Sequence, residues 1–112
     1  MGLALHFKMR DINNINYKKE DKNALIVSRL WELSQYIKSI AEPNKLAEND
    51  WGDYDYLLTM TEVEKIRDFC YNNMLDSYWG CKQYNEVIEY MNDTLDEIEK
   101  GNATIGMCHI VL

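Results

Sequence analysis

Excess positive charge is missing from this chain of 112 residues: Lys and Arg number 12 against 19 Asp and Glu, a net charge of -7. Proteins that work by neutralising phosphates show a basic patch, so direct nucleic-acid binding and attachment to anionic membranes are disfavoured. Cysteine is scarce and unpaired. Cys70, Cys81 and Cys108 are three, widely spaced and without a C-x-x-C pair, which argues against a disulfide framework or a zinc knuckle and fits a reducing compartment. Long apolar runs are absent too, as nothing approaches the roughly 18–20 residues that cross a bilayer. The opening residues lack the charged-then-apolar pattern of a signal peptide, so a cytoplasmic location is expected. Gly2 has the place of a myristoylated glycine, but His6 stands where Ser or Thr is needed. Proline occurs once, at Pro43, and ends whatever helix precedes it because the residue before a proline is forced out of the α region.

What remains is an apolar content of 46%, enough for one hydrophobic core and a single domain over residues 1–112. Charge is divided unevenly along it. Residues 1–47 hold eight cations against five anions, and residues 48–112 hold four against fourteen. A mildly basic first part is therefore joined to a strongly acidic second part.

The element about which the chain is organised is a helix over Cys81 to Lys100. Tyr84, Ile88, Met91, Leu95 and Ile98 recur at spacings of four and three, one apolar stripe on one face. Gly101 follows its last turn, where a left-handed cap is common. A second helix is expected from Lys22 to Ala41, capped by Asp21, with Ile26, Leu30, Leu33, Ile37 and Ile40 in the same rhythm and Val27 and Trp31 widening the stripe. A third starts at the capping box Thr61-Glu62-Val63-Glu64, turns Val63, Ile66, Cys70 and Met74 inward, and runs out near Asn73 to Asp76. Ser77 to Gly80 read as a turn. Leu3 to Arg10 alternates, with Leu3, Leu5, Phe7 and Met9 on one face and Ala4, His6, Lys8 and Arg10 on the other, which is a half-buried strand. Ala103 to Leu112 reads as another strand, with Ile105, Met107, His109 and Val111 sharing a face. Asp11 to Lys22 and Pro43 to Met60 show no period and read as connections. The expected fold is α+β: three helices packed on a small antiparallel sheet formed by the N- and C-terminal strands.

The order of these elements, from Met1-Gly2-Leu3 running straight into a strand, through the Thr-x-Glu helix start and its cysteine, to the tyrosine-rich acidic helix, resembles a group of small phage and prophage proteins that open M-G-L-D-M-Y-L. Ala4 and His6 depart from that opening, which has aspartate and tyrosine there, and the group's tryptophan-arginine-lysine segment has no counterpart. The resemblance implies a mobile-element origin and no particular chemistry.

Function is sought in four places. Glu48 to Tyr56 interleaves acids with Trp51, Tyr54 and Tyr56, so Asp50, Trp51, Asp53, Tyr54 and Asp55 suit a basic partner that is anchored on aromatics. The competing expectation is that these aromatics fold onto the core. Calcium fits poorly there, since a loop counted from Asp53 to Glu64 puts Leu57 and Leu58 where an oxygen ligand and a glycine are needed. On the last helix Glu86, Glu89, Asp93 and Asp96 lie one turn apart opposite the apolar stripe, a surface that imitates a row of phosphates. Asp96, Glu97 and Glu99 crowd its C-terminal end, where the macrodipole is negative and each acid costs a few tenths of a kcal/mol. Cys81 near that helix's start is the candidate nucleophile of a small thiol-dependent enzyme, with His6 or His109 as its base. A metal held by His6, Cys108 and His109 fails because neighbours on a strand point to opposite faces. The leading expectation is a non-enzymatic protein, without cofactor, that binds and inhibits a basic, nucleic-acid-binding partner. A homodimer joined through the terminal strands is the other.

Overall fold

A computed structural model describes residues 2–10, 24–48, 54–74, 78–101 and 105–111. The strands β1 (Ala4–Arg10), β2 (Leu25–Ser28), β3 (Lys45–Glu48), β4 (Tyr54–Leu58) and β5 (Ile105–Val111) form a five-stranded sheet in the order β2-β1-β5-β4-β3. Every pairing is antiparallel. The helices are α1 (Trp31–Ala41), α2 (Met60–Asn72) and α3 (Tyr78–Glu99), with a single 3-10 turn at Glu42–Asn44 after α1.

The α+β architecture follows from the two hydrophobic periods. Leu5, Phe7, Val27, Tyr56, Leu58, Cys108 and Ile110 all lie on one face of the sheet. They form one buried cluster with Leu33 and Ile37 of α1, Val63, Ile66 and Cys70 of α2, and Tyr84, Val87, Ile88 and Met91 of α3. The helices thus share that face, each buried aliphatic or aromatic side chain contributing about 1.5–3 kcal/mol of transfer free energy. Gly106 lets α2 come close: a Cβ there would meet Leu58 O and Val63 Cγ2 at 3.4 Å.

The terminal strands do pair, but as the centre of the sheet. β1 has β2 on its other side along Ala4–Phe7, and β5 has β4 along Gly106–Ile110, so over these residues neither terminal strand presents an open edge to a second copy.

Four other expectations are corrected. The stretch read as one helix from Lys22 to Ala41 is, over its described residues 24–41, a strand followed by a helix, and the break is Arg29, whose φ is +63°. Ile26 and Leu30 are four apart, a spacing that satisfies a helix and also spans a strand, a turn and a helix start. Leu25 and Val27 alternate inward opposite Phe7 and Leu5, whereas Ile26 and Trp31 are 57% and 52% exposed. The stretch from Pro43 to Met60, read as aperiodic, contains β3 and β4. Strands of four and five residues are too short to establish a period, and Asp55 interrupts the apolar run of β4. The helix starts earlier than the expected capping box and that box does not form: Thr59 is the N-cap of α2 without a side-chain bond to a backbone amide, and its hydroxyl donates instead to the carboxylate of Glu62. The third helix starts at Tyr78, so the expected turn contributes its last three residues to the helix. Gly101 does close α3 with a φ of +81° and its N–H on Ile98 O.

Candidate functional site

The carboxylates of α3 take their positions from its core stripe. With Tyr84, Val87, Ile88, Met91 and Thr94 buried, Glu89, Asp93 and Asp96 are exposed on the far side and Glu86 is half exposed beside them. From Glu86 to Asp96 the row is about 15 Å long at the helical rise of 1.5 Å per residue. Lys82 and Lys100 stand one turn beyond its two ends. Lys100 Nζ lies 3.6 Å from Asp96 Oδ2, a pair in which both side chains are more than half exposed, so its contribution is small. Glu97 and Glu99 add charge at the same end.

The residues of the expected aromatic loop are divided. Asp50, Trp51 and Asp53 lie outside the described residues. Tyr54 and Tyr56 are on β4 and turn to the helix side, Tyr56 fully buried and Tyr54 half buried with Lys38 Nζ and Lys45 Nζ at 5.0 and 4.5 Å from its ring centre. Folding onto the core, the competing expectation for this loop, holds for these two. Two cations over one ring fix Tyr54 between α1 and β3.

Asp55 points the other way. On the sheet face away from the helices it stands opposite His109, which in turn stands opposite His6. Asp55 Oδ1 is 2.6 Å from His109 Nδ1, and the two imidazoles meet edge to face with centres 5.8 Å apart. The row therefore crosses three neighbouring strands, Asp55 against His109 and His109 against His6, with Lys8 one step along β1. Sequence reasoning missed this grouping. The sequence predicts the pairing of the first with the last strand and puts both histidines on those strands, and it lacks only the register.

This arrangement bears on the thiol reading. Cys81 sits in the first turn of α3 and is half exposed, with Asn85 Nδ2 3.6 Å from its sulfur. The histidines face away from the helix layer, so the sheet separates them from Cys81 and neither serves it as a base. Cys70 and Cys108 are buried; burial pushes the Cys70 thiol up to about 12, and burial with the nearby Asp55 carboxylate pushes that of Cys108 higher still. Among the described residues no three His, Cys, Asp or Glu side chains converge as metal ligands, and no described helix is long and apolar enough to cross a membrane.

The two candidate surfaces lie on opposite sides of the sheet. Asp55 and the Glu86 to Asp96 row do not form one patch. Comparison with family models, with curated proteins and with solved structures finds no match to this chain.

Proposed function

We propose that this protein is a non-enzymatic interaction module that binds a basic, nucleic-acid-binding protein through the outer face of α3 and inhibits it by occupying its cationic surface. The observation that supports this reading is the row Glu86, Glu89, Asp93 and Asp96 along the solvent side of one helix. Carboxylates about 5 Å apart along an axis, held by a stripe buried on the opposite side, present a rigid line of negative charge. Such a line attracts a phosphate-binding groove and speeds encounter with it. A cytoplasmic setting and a phage or prophage origin belong to the same proposal.

The test immobilises the wild-type protein and a Glu86→Gln, Glu89→Gln, Asp93→Asn variant and passes host lysate over both. At about 0.05 M salt the wild type should retain a basic protein that the variant does not, and about 1 M salt, where the Debye length falls to ~3 Å, should release it. Free duplex nucleic acid should compete for it. Equal retention by the neutralised variant would remove the proposal.

A further inference from the structure

A sheet with two short outer strands has two edges at which another strand can add. They are protected unequally. On β3 the register shifts between Lys45 and Ala47, so Leu46 bulges and breaks the regular spacing that a new strand would need. β2 is regular along its length, and its protection comes from another element.

The direction of each β2 group follows from the ladder. Arg29 N–H donates to Leu3 O at 2.9 Å, so Arg29, Val27 and Leu25 turn their backbone groups toward β1. Ser28, Ile26 and Ala24 then turn theirs outward, since the sides alternate. On the outer side Ser28 N–H donates to Gln83 Oε1 at 2.7 Å, and Gln83 Nε2 donates to Ser28 O at 3.0 Å. A primary amide that gives one bond and takes one from the same residue reproduces the pair that a neighbouring strand would make there. Gln83 reaches this position from the second turn of α3, far along the chain.

We infer that the outer edge of β2 is a self-pairing edge that Gln83 holds closed, and that the partner it fits is a second copy of this chain adding its own β2 antiparallel about Ile26. The choice of a second copy rests on symmetry and charge. With Ile26 on the two-fold axis, its outward N–H and C=O meet the same groups of the other Ile26, and Ser28 meets Ala24 on both sides, an isologous match of every outward residue. Ala24 to Ser28 carries no charge, so the pairing strands themselves bring no like charges together. Ile26, a β-branched residue 57% exposed on this edge, gains cover in the pair. Gln83 occupies both groups of Ser28 in each copy and leaves only the central pair at Ile26, too little to hold two strands together.

Sedimentation or light scattering of the wild type, of Gln83 variants and of Ile26→Pro with and without Gln83→Ala tests this. The wild type should remain a monomer. Gln83→Ala should form a concentration-dependent species whose mass rises toward twice the 13.3 kDa of one chain. Gln83→Glu keeps the acceptor for Ser28 N–H but loses the donor to Ser28 O, so it should dimerise more weakly, and it carries the test where the alanine variant does not fold. Adding Ile26→Pro to Gln83→Ala should restore the monomer, because the N–H removed points outward and the β1–β2 ladder stays intact. The inference is overturned if the folded Gln83 variants stay monomeric at all concentrations, if the Gln83→Ala dimer survives Ile26→Pro, or if the wild type itself forms a dimer that Ile26→Pro dissolves.

Discussion

Arg29 is the residue at which local strain and fold meet. It holds a φ of +63° between β2 and α1, in the left-handed region that costs a residue with a Cβ about 1 kcal/mol. Its N–H is committed to Leu3 O, so the conformation is fixed by the ladder. Arg29→Gly should therefore raise stability by about 0.5–1 kcal/mol, a rise in Tm of roughly 2–5 °C for a chain of this size, measured by thermal melting. Arg29→Val should lower it. A second expectation at this scale concerns pH. Burial lifts Cys70 to about 12 and Cys108 further, and burial followed by the Cys70 and Glu32 charges lifts Tyr84 to about 12. The folded chain keeps all three protonated while the unfolded chain ionises its thiols from about pH 8.5. Their contribution is thus complete below that value and is lost as pH rises toward the folded pKa, by about 1.4 kcal/mol per pH unit for each ionising thiol. Urea denaturation at pH 8 and at pH 10.5 should show the loss, and a Cys70→Ala, Cys108→Ala variant should lose less between the same two conditions. An electrophile at neutral pH should label Cys81 and leave Cys70 and Cys108 untouched.

Single elements were legible where their period was long. The stripe of α3, the faces of β1 and the cap at Gly101 follow from local chemistry that no neighbour overrides. β2 was hidden because Ile26 and Leu30 continue the rhythm of α1 across a change of element, and only the open side of β1 makes a strand of Leu25–Ser28. Two overlapping threonine-to-glutamate frames lie at the start of α2. The one used places Glu62, only 9% exposed, where both the Thr59 hydroxyl and the Asn44 amide donate to its carboxylate. That carboxylate ties the 3-10 turn after α1 to the start of α2, and it lies at a helix N-terminus where its charge is favoured. Glu62→Ala leaves two donors without their acceptor and should cost about 1–3 kcal/mol in urea denaturation. Thr61 and Glu64, exposed on the same turn, should tolerate alanine within about 0.5 kcal/mol. Similar losses at Glu64 and Glu62 would contradict this assignment of the cap.

For the whole molecule the sheet separates two kinds of polarity that sequence order does not. Asp55 and Glu86 both belong to the acidic second part of the chain, yet the fold places them on opposite faces. Tyr54 and Asp55 are neighbours in sequence and also part, because a strand alternates. The histidine row was illegible for the complementary reason: its members come from β1, β4 and β5, and only the register of non-local pairing joins them. The segregated charge has a consequence that is independent of any partner. Along α3 the acids from Glu86 to Glu99 outnumber the flanking Lys82 and Lys100, so the folded state carries self-repulsion on this side that the extended chain relieves. Salt should screen it, and the Tm of the wild type should rise between about 0.02 M and 0.3 M sodium chloride, over which the Debye length falls from roughly 20 to 6 Å. The Glu86→Gln, Glu89→Gln, Asp93→Asn variant should melt higher than the wild type at low salt and respond less to added salt. A variant that is no more stable at low salt would mean that the row is already neutralised within the chain, leaving too little free charge to draw a basic partner. A more stable variant would mean that the fold bears a cost for its acidic face, as expected of a surface kept for binding.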